Sequence, residues 1–157
     1  MKHTISILVE NKFGVLARIA GLFSARGYNI DSLAVGETQD PNVSRMTIVV
    51  NAADERILEQ IKKQLNKLID IISVIDLTKK KYFDRELILA KLNYTKETKT
   101  KVSQIVKKLG AKILEHNSKT AIIEAVLDQY KVKELLDALN QIGIKELVRT
   151  GRIAIEP

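Results

Sequence analysis

Two amide side chains, Asn11 and Asn29, each lie within three residues of a glycine. The first sits in Glu10-Asn11-Lys12-Phe13-Gly14-Val15-Leu16, the second in Gly27-Tyr28-Asn29-Ile30. A glycine where an alternating run gives way to a helical one lets a ligand approach the backbone. The amides of Gly14, Val15 and Leu16 open that helix and have no intrahelical acceptors. The helix dipole adds partial positive charge, so a carboxylate is favoured there. Asn11 and Asn29 offer both donors and an acceptor, so either can hold an ammonium or a carboxylate. Apolar residues nearby suit an aliphatic side chain, and together these parts fit a small α-amino acid. The alternative is local: Gly14 as a turn glycine, Asn11 as a turn or capping residue, Asn29 as a left-handed turn residue after Gly27.

Catalytic chemistry has little to stand on. The two histidines, His3 and His116, fall at opposite ends of the chain and are expected to be ordinary surface groups. There is no cysteine, no Cys/His spacing for a metal, and no GxSxG, GxGxxG or GxxxxGK[ST] pattern. Asp31, Glu37 and Asp40 are close in sequence but read as solvated charges. No catalytic and no metal-binding residue is therefore assigned.

Composition narrows the remaining classes. At 157 residues and 45% hydrophobic, the chain can bury a core as one ordinary domain or two small ones. No apolar run approaches the roughly 18–20 residues of a membrane helix. The first residues read as a strand rather than a signal peptide. The lack of cysteine fits a cytoplasmic protein. The formal charge of +7 is uneven. Residues 1–77 carry nine basic and nine acidic groups, and residues 78–157 carry seventeen and ten. A basic ferredoxin-like sheet can bind RNA through stacked aromatics, but here only seven residues are Phe or Tyr and an RNP-like pattern is missing. Lys79-Lys80-Lys81 reads as a solvated linker or as contact for an acidic partner surface.

The elements that must position the amides follow from periodicity. His3–Val9 alternates, with Ile5, Ile7 and Val9 on one side. Val15, Leu16, Ile19, Ala20, Leu22 and Phe23 recur at helical spacing up to Arg26-Gly27. Ile30–Gly36 and Ser44–Val50 read as strands around a turn at residues 38–42. Asp54 is expected to cap a helix striped by Ile57, Leu58, Ile61, Leu65 and Leu68. Ile71–Leu77 closes the unit. The order β-α-β-β-α-β predicts a ferredoxin-like α+β fold with strand order 4-1-3-2. The pattern returns: strand Glu86–Tyr94, helix Lys96–Leu109, strands Ala111–His116 and Thr120–Val126, helix Val132–Ile142, then one or two strands over Ile144–Ile155. Two tandem βαββαβ domains are expected.

In that order Ile30–Gly36 lies at a sheet edge, without the lysine or proline that usually guards one. Pairing with its twin about a two-fold axis would join two sheets into one. A loop covering the edge within the monomer is the alternative. In the paired form, Asn29 of one chain approaches the Asn11–Gly14 loop of the other.

Several segments resemble one family: Leu8-Val9-Glu10-Asn11 with Gly14, the run Gly21-Leu22-Phe23-Ser24-Ala25-Arg26-Gly27-Tyr28-Asn29-Ile30-Asp31-Ser32-Leu33, and Ser44-Arg45-Met46-Thr47-Ile48-Val49. The match continues through Glu59–Leu68, Arg85-Glu86-Leu87 and Arg149-Thr150-Gly151-Arg152-Ile153-Ala154. The chain resembles the regulatory small subunit of acetohydroxyacid synthase, also called acetolactate synthase. The resemblance implies an ACT domain over residues 1–77, a linker over 78–84 and a second ferredoxin-like domain over 85–157. It implies a non-catalytic partner that activates a large catalytic subunit. That subunit would use thiamine diphosphate, Mg²⁺ and FAD in branched-chain amino acid biosynthesis, toward valine, leucine and isoleucine. It implies a cytoplasmic homodimer, with no nucleic acid and no membrane as partner, and feedback inhibition by valine bound at the ACT interface. Asn11, Gly14, Val15 and Leu16 would form one side of the valine site, and Asn29 and Ile30 of the second copy the other. This chain has Ala17 where the family often carries serine. A free-standing ACT-type sensor with another client is the alternative.

Overall fold

The computed structural model describes residues 2–52 and 55–157. By contact the chain divides into two units, residues 1–83 with 152–157, and residues 84–151.

In the first unit, β1 (Lys2–Glu10), α1 (Val15–Ser24), β2 (Ile30–Glu37), β3 (Val43–Asn51), α2 (Glu55–Leu65) and β4 (Ile71–Asp76) follow the expected order. The sheet runs β2-β3-β1-β4 with every pairing antiparallel. Alternation turns Ile5, Ile7 and Val9 toward the helices, where they meet Val15, Ile19 and Phe23 of α1 and Leu58, Ile61 and Leu65 of α2. Each such side chain contributes about 1.5–3 kcal/mol by leaving water. The cap expected at Asp54 lies outside the described residues. His3 corrects the sequence reading: it is buried, only 2% exposed, and neither ring nitrogen has a hydrogen-bond partner. Period two explains it, because His3 falls on the same face of β1 as Ile5.

The opposite face of β1 is also covered. Thr4 N–H donates to Thr78 Oγ1 at 3.2 Å, and Arg45 Nη1 donates to Ser6 Oγ at 2.9 Å. Arg152 belongs to this unit too, donating from its backbone to Ser32 Oγ at 2.8 Å and from Nη1 to Thr4 Oγ1 at 3.1 Å.

The second unit holds β5 (Phe83–Asn93), α3 (Lys99–Leu109), β6 (Lys112–His116), β7 (Thr120–Leu127), α4 (Gln129–Asn140) and β8 (Ile144–Arg149). Its strands run β6-β7-β5-β8, and Ile88, Leu92, Val102, Ile123, Leu135 and Leu139 lie in its core. A short β9 (Ile153–Ile155) follows the turn at Gly151, where φ is 82°. Two helix starts differ from the periodicity. The α4 helix begins a turn earlier, because Asp128 Oδ1 accepts from the amides of Tyr130 and Lys131, both at 3.0 Å. Asp84, expected in the linker, is a buried strand residue whose Oδ2 accepts from Gln129 N–H at 2.9 Å. The α3 helix begins at Lys99 rather than Lys96, with Thr98 at its cap position.

Candidate effector site at the head of the first helix

Four residues, Asn11 to Gly14, carry the chain from β1 into α1. The loop is held from three sides: Glu10 N–H donates to Asp70 O at 2.9 Å, Asn11 N–H to Asn42 O at 2.7 Å and Lys12 N–H to Glu10 O at 3.0 Å. Gly14 takes φ 80° and ψ −5°, a left-handed conformation that disfavours any Cβ. It serves as the cap residue of α1, with no side chain closing the helix end. Val15 N–H turns back to Lys12 O at 3.4 Å, so it is less free than a helix-start amide is expected to be. The amides of Gly14, Leu16 and Ala17 have no acceptor among the described residues.

The side chains around this head are of opposite character. Asn11 commits its Nδ2 donors to Pro41 O at 2.8 Å and Glu37 Oε1 at 3.1 Å, which leaves its Oδ1 as the group that can meet a donor. Arg18, one turn beyond Gly14, pairs with the mostly buried Asp70 through Nε at 2.8 Å and Nη2 at 2.7 Å. A Cβ built on Gly14 would lie 3.1 Å from Arg18 Nη1, so the guanidinium stands against the helix head. Lys12 is engaged elsewhere: its ammonium donates to Glu10 Oε2 at 2.6 Å, which holds it above the usual lysine range. Phe13 is fully exposed, and Leu16 and Val35 are exposed apolar residues of α1 and β2.

The fold brings Asn11, Gly14, Val15 and Leu16 to one corner. Val15 takes part there through its backbone alone, because its side chain is buried in the core. Asn29 and Ile30 lie at the other end of β2. Glu37, bonded to Asn11, pairs with Ser44, whereas Ile30 pairs with Val50. At about 3.3 Å per residue the two ends of this strand are roughly 23 Å apart. Asn29 Nδ2 donates locally to Asp31 Oδ1 at 2.7 Å. One chain therefore does not bring the two groups together.

Sequence reasoning missed Arg18, Glu37 and Asp70. Arg18 had a signal, since a residue four beyond Gly14 lies over it on a helix. Asp70 is 52 positions from Arg18 and had none.

Residues 5–73 match the AHAS small subunit-like ACT domain, and residues 85–157 match the family described as the small subunit of acetolactate synthase. The chain belongs to the acetolactate synthase small-subunit family. A relative from Archaeoglobus fulgidus, described as a probable acetolactate synthase small subunit, is 46% identical over 155 residues, which is 99% of this chain and 96% of that one. The acetolactate synthase small subunit of Mycolicibacterium smegmatis is 42% identical over 98% of this chain and 89% of its own length. The crystal structure of the small subunit from Thermotoga maritima superposes with a TM-score of 0.87 at 35% identity, over 100% of this chain and 98% of that one. Membership makes the first unit an ACT domain and agrees with two ferredoxin-like units in tandem. Among the described residues no helix is long and apolar enough to cross a membrane, and no group of three or more His, Asp or Glu is placed to hold a metal ion.

Proposed function

We propose that this chain is the non-catalytic regulatory subunit of an acetolactate synthase, activating a large catalytic subunit and conferring feedback inhibition by valine. The observation that carries the reading is the head of α1. Amides without acceptors and the Arg18 guanidinium stand beside Asn11, whose remaining group is an acceptor. A zwitterion finds opposite partners there, its carboxylate toward the amides after Gly14 and its ammonium toward Asn11 Oδ1. An aliphatic side chain finds Leu16 nearby.

The second half of the site comes from a second copy. The β2 strand is a sheet edge. Two-fold antiparallel pairing with its twin over the whole of β2 sets residue 30 of one chain beside residue 37 of the other. Glu37 is the residue that Asn11 holds, so Asn29 and Ile30 of the second copy arrive at the Gly14 corner. On this reading the chain is a cytoplasmic homodimer. Thiamine diphosphate, Mg²⁺ and FAD belong to the large subunit, and the pathway is that of the branched-chain amino acids.

Calorimetry of the full-length protein with valine, leucine and isoleucine tests the effector. Valine is expected to release saturable heat, and at a hundred times its dissociation constant to add about 2.7 kcal/mol of stability. Absence of both heat and thermal shift overturns the assignment. A monomer in light scattering overturns the shared site. A large synthase subunit that gains no activity from this chain overturns the client.

A further inference from the structure

His3 stands at the end of β1 away from Gly14. It is buried, and neither Nδ1 nor Nε2 has a hydrogen-bond partner among the described residues. A neutral imidazole carries one N–H donor and one bare acceptor nitrogen. Leaving both unmade inside a fold is costly, and a bound group that meets either one relieves the cost. His3 lines an open cleft of about 470 Å³, together with Leu58, Glu59 and Lys62 of α2 and with Val74, Asp76 and Thr78.

Register brings an acid beside it. Asp76 of β4 pairs with Ile5, and His3 lies two residues before Ile5 on the same face. Such diagonal neighbours are roughly 7–8 Å apart at the backbone, which leaves room for one small group between the two side chains. Asp76 Oδ1 accepts from Thr78 N–H at 2.9 Å. The carboxylate is in no ion pair among the described residues, because the lysines of the cleft are bonded elsewhere. Lys62 is held by Glu59, Lys79 by Glu55 and Lys80 by Glu156. Asp76 still acts on cations there: the hydrogen bond to Glu55, with Asp76 adding to it, holds the Lys79 ammonium above the usual lysine range. Thr78 Oγ1, which accepts from Thr4 N–H at 3.2 Å, is a further hydroxyl on the wall.

We propose that this cleft binds the protonated amino group of a small aliphatic primary amine, seated between His3 and Asp76. An ammonium has three donors and no acceptor, and it meets here an imidazole nitrogen, an unpaired carboxylate and a hydroxyl oxygen. Leu58 and Val74 offer its aliphatic stem an apolar wall. A metal ion fits less well, since no group of three His, Asp or Glu is placed to hold one among the described residues. The cleft shares no residue with the Gly14 corner and stands or falls independently of the effector reading.

Titration of the full-length protein with n-butylammonium chloride and with 1,4-diaminobutane, at fixed pH and ionic strength, tests it. The readout is the imidazole ring resonances. The chain has two histidines, so His116 in the second unit is an internal reference. Saturable shifts at His3 with His116 unmoved are expected. Tetramethylammonium carries the same charge without an N–H and should give no saturable shift. Asp76→Asn keeps an acceptor for Thr78 N–H and should lose affinity by roughly tenfold or more, since a charge-assisted bond is removed. Asp137→Asn, the same charge change on the exposed side of α4, should leave affinity unchanged. His3→Leu removes two unsatisfied buried nitrogens, so by calorimetry it should bind no amine while unfolding at a higher temperature. No saturable shift at His3, equal shifts with tetramethylammonium, equal losses in the two Asp variants, or wild-type amine binding by His3→Leu each overturn the proposal.

Discussion

The two units place a strand-to-helix corner at the same point of the same fold and finish it in different ways. In the first unit the corner stays open: Gly14 caps α1 without a side chain, and Asn11 reaches across to Pro41 and Glu37. In the second unit the corner closes on itself. Thr98 Oγ1 donates to Asn93 O at 3.0 Å and accepts from Thr95 N–H at 2.9 Å. The edges differ in the same sense. The β2 edge has eight residues and neither Lys nor Pro, whereas β6 has five, opens on Lys112 and carries a bulge between Ile113 and Glu115. Short, charged and bulged edges resist pairing. One ferredoxin-like frame thus presents main-chain groups and a free edge, while its repeat presents side chains and a guarded edge.

The largest expected effect breaks the open corner. Gly14→Asp puts a carboxylate where the effector's carboxylate would sit, in a left-handed conformation and against Arg18. Calorimetry should show no valine heat, while unfolding shows a loss of about 1–2 kcal/mol from backbone strain. Normal valine inhibition in this variant would count against the site. Next is a glycine of the second unit. Gly143 has φ 102°, and a Cβ there collides with the side-chain amide of Asn93. Gly143→Ala should cost about 2 kcal/mol or more, seen as faster hydrogen exchange across α4, with valine binding unchanged.

Arg149→Ala tests what holds the far side of that unit. Arg149 meets Glu86, only 6% exposed, through Nε at 2.6 Å and Nη2 at 3.0 Å. Removing it leaves a buried carboxylate without its partner, at about 2 kcal/mol in denaturant unfolding. Thr98→Val removes both hydrogen bonds that close the second corner and should cost about 1 kcal/mol. The same variant should leave the first corner's response to valine untouched.

The smallest effect is in pH. Lys91 donates to Glu146 at 2.8 Å, holding that carboxyl below its usual range and the ammonium above its own. For Glu146 the folded value is depressed. Its contribution is therefore present at neutral pH and lost as pH falls through that lowered value. For Lys91 the folded value is raised, and its contribution is lost as pH rises through it. Glu146→Gln should flatten the acid limb of the stability profile slightly. Both groups are solvent-exposed, so the change is small and shrinks with added salt.

The fold was readable because periodicity reports directly on burial. Ile5, Ile7 and Val9 at period two, and Val15, Ile19 and Phe23 at helical spacing, are the residues that form the first core. Misreadings fell where polar residues settle the matter. His3 sits at an apolar position of its strand and is buried, and residue type alone hid this. The start of α4 was missed because one of its caps, Asp84, comes from a strand 45 positions away. At the candidate site Asn11, Gly14 and Leu16 were legible from local spacing, because a glycine between strand and helix leaves amides open. Which end of the Asn11 amide is left open was not legible, since Pro41 and Glu37 decide it.

By itself the sequence determined the two βαββαβ units, the unguarded edge at residues 30–36 and the open helix start at Gly14. Those features follow from short-range rules of periodicity, propensity and capping. Only the tertiary structure decided that Arg18, steadied by Asp70, stands over that helix start. It also decided that Asn11 spends its amide donors within the fold, and that Asn29 lies a full strand away. These depend on contacts between residues 26 to 52 positions apart, and no local pattern in the chain encodes such distances.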